Sequence, residues 1–337
     1  MAIITSTSRR RLMLGLGAAP LLSAWHHAHA APQKITVAES QGFSWAIPYV
    51  LSTRNFWKKY DVEATTLGFT SGRLALDAVL AGKAQFGTTT DSPMALLGAN
   101  GLRSLIVAEF SRISQGMAVA ARTDRGIGKS ADLKGKRVAT PLGTSGHYYL
   151  SRYLSLYGLT LKDVQVINLR APDAVTALVR GDIDAFAWGL EAGEHAISQA
   201  PDKVRLLSND NIEKVFVSHY VLAATEEVVK TQPELVRSAV RALLDTEKFY
   251  RSDNAVAVAD VAQRLKASNE VTRKSLETVN VGVRLDESLL DDMVLNGKWA
   301  VEAGLARQPD QDFRALYRSL IYPDAMRAVA PERVTLK

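Results

Sequence analysis

Residues 132–159 read DLKGKRVATPLGTSGHYYLSRYLSLYGL, and this stretch decides the fold. It parses as strand, turn and helix. Lys136-Arg137-Val138-Ala139-Thr140 is a short strand, Pro141-Leu142-Gly143-Thr144-Ser145-Gly146 is a turn of small residues, and a helix begins near His147. Leu150, Tyr153, Leu154 and Tyr157 keep i, i+3, i+4, i+7 spacing, so one face is buried, and Gly158 ends the helix. A helix N-terminus behind such a turn presents free N–H groups and a partial positive charge, which suits an anionic group. Thr144, Ser145, Gly146 and His147 are therefore the expected anchor: hydroxyls and N–H groups donate, and Gly146 lets backbone approach a ligand without a Cβ in the way. The same unit is also an ordinary βα connection, so the turn alone does not define a site.

The flanking sequence repeats the pattern. Residues 34–38 read as a strand, 39–45 as a loop, 47–56 as a helix and 61–66 as a second strand. Thr70-Ser71-Gly72 caps a helix over 73–80, residues 84–87 form a strand, and Thr88-Thr89-Thr90-Asp91-Ser92-Pro93 is a polar turn into another helix. This βαβα order implies parallel pairing with helices on the sheet faces. Residues 78–85 (AVLAGKAQ) match residues 177–184 (ALVRGDID), each a helix end, a Gly stop and a buried strand. Each strand leads into a loop, 88–93 in one case and 188–191 in the other. Ligands in open α/β sheets bind beyond the carboxyl ends of strands, so two such edges facing each other form a cleft. Residues 116–122 and 215–224 are the expected crossings between lobes. The C-terminal third reads as helices at 235–250, behind a capping-box pattern at Thr231-Gln232-Pro233-Glu234, and at 254–266, 286–303 and 310–320.

The stretch quoted above, followed by GDIDAFAW at 181–188, resembles the second lobe of periplasmic substrate-binding proteins of ABC importers. The resemblance is to the subfamily that takes up sulfonates, taurine, nitrate and thiamine precursors. It runs from about residue 34 to the C-terminus and is densest over 67–100 and 129–195. It implies an α/β, two-lobed periplasmic binding protein fold of type II character, each lobe a mostly parallel sheet flanked by helices, with a helical C-terminal region. The division it implies is 31–117 for the first lobe, 118–219 for the second, and 220–337 for the return to the first lobe. The family's ligand loops fall on Gln41–Trp45, with Gln41, Gly42, Phe43 and Trp45 as candidates; on Thr89, Thr90, Asp91 and Ser92; on Thr144, Ser145, Gly146 and His147; and on Gly189–Glu191, with Gly189 and Glu191 as candidates and Trp188 added as a ring in the same expected cleft loop. His219, on the return crossing, is added to them. The implied partners are a small-molecule ligand and an inner-membrane permease with its ATPase; a monomer is expected. One departure matters: family members often read D-A-x-x-x-W-x-P, whereas Asp184-Ala185-Phe186-Ala187-Trp188-Gly189-Leu190-Glu191 puts Gly at the Trp position and Glu at the Pro position.

The N-terminus reads as a leader. Ser8-Arg9-Arg10-Arg11-Leu12 is a twin-arginine pattern, residues 12–22 are a short apolar core, and Ala28-His29-Ala30 is an A-x-A site. Cleavage after Ala30 and export to the periplasm are expected. Three of the 41 Lys and Arg lie in this leader and none of the 35 Asp and Glu, so the remainder is close to charge balance. No Lys/Arg block tracks a phosphate backbone, which argues against nucleic acid. There are no cysteines; disulfides, thiol chemistry and a Cys-linked lipid anchor are excluded.

Enzyme readings are weaker. Ser145, His147 and Asp91 or Glu191 could be drawn as a triad, but no nucleophile elbow surrounds Ser145. Gly143-Thr144-Ser145-Gly146 fits no nucleotide-binding pattern, so no cofactor is expected. A thiamine-pyrimidine synthase of the same fold uses cysteines that this chain lacks. His147, His195 and His219 sit at unmatched spacings for a metal. Trp45, Phe43, Tyr148 and Trp188 are either core or ligand-facing rings, since pockets are largely apolar with few polar anchors. A ligand sensor for a membrane receptor, and a binder of an aminopyrimidine or aromatic acid, are the remaining alternatives. If Glu191 faces the cleft, its carboxylate disfavours a bare small anion and favours a ligand with a cationic or donor part.

Overall fold

The first sheet starts as the alternating pattern requires: β1 (Gln33–Ser40), α1 (Ala46–Thr53), β2 (Val62–Phe69), α2 (Gly72–Leu80), β3 (Phe86–Thr90) and α3 (Asp91–Ala99). This computed structural model describes residues 31–336, so the leader expected over residues 1–30 lies outside the described residues. β4 (Leu105–Ile113) follows, and β5 (Met117–Arg122) opens the second sheet. That sheet continues through β6 (Arg137–Ala139), α4 (Ser145–Leu156), β7 (Gln165–Ile167), α5 (Ala171–Arg180), β8 (Ala185–Gly189), α6 (Leu190–Gln199) and β9 (Val204–Leu206). β10 (Ser218–Ala224) returns to the first sheet. Then come α7 (Glu226–Thr231), α8 (Pro233–Ser252), α9 (Asn254–Leu265), α10 (Asn269–Leu276), β11 (Asn280–Arg284), α11 (Glu287–Glu302), α12 (Phe313–Arg318) and α13 (Asp324–Val329).

The sheets have orders β11-β4-β10-β3-β1-β2 and β7-β6-β8-β5-β9. The internal repeat explains the likeness between them. β3 lies between parallel β1 and antiparallel β10; β8 lies between parallel β6 and antiparallel β5. β5 and β10 are the two strands that enter from the opposite lobe, and both run against their neighbours. Both sheets are therefore mixed rather than mostly parallel, because a strand arriving from the other lobe enters at the opposite end of the sheet. β10 is buried along its whole length: Tyr220–Ala224 is apolar, and Ser218 and His219 find polar partners inside the lobe. His219, expected near the end of the second lobe, already pairs in the first sheet, opposite Arg112.

Other differences have local causes. The first helix stops at Thr53 because Arg54 closes it and Asn55 turns left-handed (φ 52°), and a short 3-10 turn (Phe56–Tyr60) takes the rest. Thr88, Thr89 and Thr90 are not loop but the end of β3, and α3 starts directly at Asp91. The helix after the GTSG turn begins at Ser145, with Thr144 at the N-cap. Thr231 does not cap α8: its hydroxyl donates to the Glu227 carbonyl, and Pro233 sets the helix start. Among the described residues no helix is long and apolar enough to cross a membrane.

Candidate functional site

Four strand ends converge between the lobes. Beyond β1 lies the loop at Gln41, Gly42 and Phe43; beyond β3, Thr90 and the start of α3; beyond β6, the turn to α4; beyond β8, Gly189 and the start of α6. Together they line a narrow inner cavity of about 40 Å³, room for one small group of a ligand, with a wider groove outside it. Of the residues expected from sequence, Gln41, Gly42, Phe43, Trp45, Thr90, Thr144, Ser145, Trp188, Gly189 and Glu191 line it.

The β1 loop is fixed from behind. The Tyr49 hydroxyl donates to the Ser40 carbonyl (2.7 Å) and accepts from the Gly42 N–H (3.1 Å). Gly42 has φ 131°, a conformation that L side chains rarely adopt. Trp45 packs edge-on to Tyr220 (4.6 Å between centroids) and against Phe110. Trp45 is thus held as a wall of the cavity.

At the β6 turn, the Thr144 hydroxyl is already engaged, donating to the Pro141 carbonyl (2.6 Å). The His147 N–H donates to the Thr144 carbonyl in the first turn. Of the donors expected from sequence, that leaves the Ser145 hydroxyl and the Ser145 and Gly146 N–H groups uncommitted. Gly146 serves another purpose than the sequence suggested. A Cβ there would overlap the Trp188 ring (Cζ3 at 2.7 Å) and meet Thr140 Oγ1 at 3.0 Å. Its bareness seats Trp188 rather than a ligand. The His147 ring lies behind the turn, its Nδ1 accepting from the Gly143 N–H, and burial lowers its pKa to about 4, so it is neutral. It packs edge-on to Trp299 of α11, as Tyr148 does, which ties the second lobe to the first.

Thr89, Asp91, Ser92 and His219 sit beneath the cavity instead of lining it. Asp91 is fully buried at the start of α3 and accepts from the Ser218 hydroxyl, the His219 N–H and the Asn296 amide. Burial raises its carboxyl to about 7. The His219 ring is held between Glu109 (2.9 Å) and Asp292 (2.8 Å). Although its burial opposes charge, those carboxylates raise its pKa to about 10, so it is an imidazolium at neutral pH. Arg112 and Arg284 hold Glu109 from the other side. This network explains why polar residues are conspicuous here without facing a ligand. Among the described residues no three His, Asp or Glu side chains converge as metal ligands.

Sequence reasoning missed Arg73, Ser71 and Tyr220, which also line the cavity. Arg73 carries the one positive charge among its described lining residues. It follows the Thr70-Ser71-Gly72 cap, and that position at the first turn of α2 was the available signal. Asp77 holds its Nε at 3.0 Å. Its Nη1 would lie 3.1 Å from a Cβ built on Gly143, so it reaches across to the β6 turn. Glu191 carries the one acid of the lining. Its carboxylate lies against Gly189 and Gly42. Burial raises its pKa to about 7, and Glu194 adds to the effect.

Two facing α/β lobes with a cavity at four strand ends define a periplasmic binding protein fold. The sequence profile described as NMT1/THI5 like matches residues 21–254, and the chain belongs to that family. A Brucella abortus (strain 2308) protein named as a binding protein is 30% identical over 236 residues, covering 69% of this chain and 70% of its own. The taurine-binding periplasmic protein of Escherichia coli K12 is 24% identical over 200 residues, 58% of this chain and 57% of its own. Among solved structures, the alkanesulfonate-binding protein SsuA from Xanthomonas axonopodis pv. citri, bound to MOPS, superposes with a TM-score of 0.73 at 19% identity. That match covers 87% of this chain and 99% of the other. The fold is not confined to binding proteins, since the desulfurization enzyme DSZB shares it (TM-score 0.64, 15% identity, 89% of this chain and 99% of the other).

Proposed function

We propose that this protein is the periplasmic solute-capture component of an ABC importer and that its ligand is a small organic sulfonate of the taurine class. The observation that carries the reading is Arg73 facing the Thr144-Ser145 turn across the cavity: a guanidinium from one lobe and hydroxyl and N–H donors from the other. An acid group held by both bridges the lobes, which is how a ligand favours closure. Among the described residues no hydroxyl lining the cavity is hydrogen-bonded to a histidine. Ser145 has no imidazole partner, because His147 turns its Nδ1 to the Gly143 N–H behind the turn. Capture without chemistry is the simpler use of such a site. Export follows from the leader, with the mature chain starting at Ala31.

Thermal-shift screening with taurine and alkanesulfonates is the direct test. The expected result is a raised melting temperature with the ligand recovered unchanged; consumption of the ligand indicates an enzyme instead. Small-angle scattering is expected to show a smaller radius of gyration with saturating ligand, and an unchanged curve counts against closure. Ser145→Ala removes one hydroxyl donor to the acid group. It is expected to weaken binding about 10-fold, the lower end for a hydrogen bond to a charged group. Calorimetry showing wild-type affinity would place the anchor elsewhere.

A further inference from the structure

The cavity opens outward into a wider groove, and Gln41, Gly42, Phe43, Trp188 and Glu191 line both. One wall of the groove belongs to the second lobe, at Ala171, Pro172 and Val175 of α5. The other is Leu265, Ala267 and Val271, from the corner between α9 and α10, which packs on α1 and the β1 loop of the first lobe. Both walls are mainly apolar, with Thr176 beside Val175 on the first. Among the described residues the ionisable side chains of the groove are Glu191, Glu194 and His195, with no Lys or Arg. Glu191 stands at the neck between the two spaces. Arg73 lines only the inner one.

We propose that the preferred ligand is an N-substituted aminosulfonate. Its acid group is held by Arg73 and the Ser145 turn, its secondary ammonium pairs with Glu191 at the neck, and the apolar substituent on that nitrogen lies in the outer groove. The proposal rests on the sulfonate reading above and names the substrate class within it. The charges run in the required order, a cation at the inner end and a carboxylate at the exit. A carboxylate in a closed cleft without a cation beside it is costly to keep ionised. A ligand ammonium removes that cost, whereas a plain alkanesulfonate adds a second negative charge near the first. The groove beyond Glu191 has walls from both lobes, so a substituent there is gripped only when the lobes meet.

The test is calorimetric titration of the purified protein with hexanesulfonate, taurine and N-cyclohexyltaurine at neutral pH, where both amines are protonated. N-cyclohexyltaurine is expected to bind tightest and hexanesulfonate at least 10-fold more weakly. Glu191→Gln should cut that ratio at least 10-fold, while Glu191→Asp retains part of it. Ala267→Trp, which narrows the outer groove, should lower the affinity for N-cyclohexyltaurine relative to taurine. Hexanesulfonate binding as tightly as N-cyclohexyltaurine, or a ratio unmoved by Glu191→Gln, overturns this inference and leaves the sulfonate reading standing. Failure of all three compounds to bind overturns the sulfonate reading itself.

Discussion

Arg73→Gln is expected to weaken sulfonate binding between about 10- and 150-fold while leaving the melting temperature close to that of the wild type. The affinity loss follows from the charge: a hydrogen bond to an ionised group contributes roughly 1.5–3 kcal/mol, at about 1.4 kcal/mol per decade. Arg73 is the one cation among the described residues lining the inner cavity, so no neighbour there takes over its role. The small stability effect follows from exposure. The Arg73 side chain is 38% exposed and its ion pair with Asp77 is an i,i+4 surface pair, of a kind worth about 0.3–0.5 kcal/mol. Calorimetry and a thermal melt on the same preparation check both halves. Wild-type affinity in this variant would remove the observation on which the functional reading stands.

Gly146→Val is expected to abolish measurable binding and to lower stability by about 1–3 kcal/mol, the usual cost of overpacking a filled site. The added side chain meets the six-membered ring of Trp188 on one side and Thr140 Oγ1 on the other. Neither wall has room: Thr140 is fully buried just beyond β6, and Gly146 is pinned by the first turn of α4. Trp188 therefore moves into the cavity it lines. Shrinking the ring in Gly146→Val/Trp188→Leu is expected to restore stability but not affinity, because the two residues are in contact and their effects do not add. A melting temperature and affinity unchanged in Gly146→Val alone would show that the contact between Gly146 and Trp188 does not exist in solution.

The helices and strands of the first hundred residues were largely legible because period and punctuation agreed. Gly82 and Gly181 both end helices in left-handed conformation before central strands, and that pairing revealed two related lobes. β4 and β11 were missed for opposite reasons. β4 (LIVAEFSRI) is a buried run whose apolar content does not separate strand from helix, and β11 is five residues among helices. In the site, loops that follow strands were found and residues that reach in from helices were not. Arg73 is the clear case. The reverse error was to read polarity as ligand contact. Asp91 and His219 are polar because they satisfy each other's surroundings inside the first lobe, and nothing in the local sequence tells that use from a ligand-facing one. Glu191 was singled out for departing from a pattern, and the fold puts it in the cleft.

The crossings at β5 and β10 also divide the pairings into local and distant ones. The second sheet draws all its strands from one continuous segment, residues 117–206. The first sheet is unfinished until β10 slots between β3 and β4, and β11 closes its edge only at residues 280–284. Its last stitches come later still: the Ile321 bridge to Ile106 and the Val334 bridge to Leu285. Pairings this distant in sequence carry a loop-closure cost that local ones avoid. The inserted lobe can therefore complete its sheet from one continuous segment, whereas the host sheet cannot be completed until the tail of the chain has arrived, and β3 and β4 are open strand edges until then.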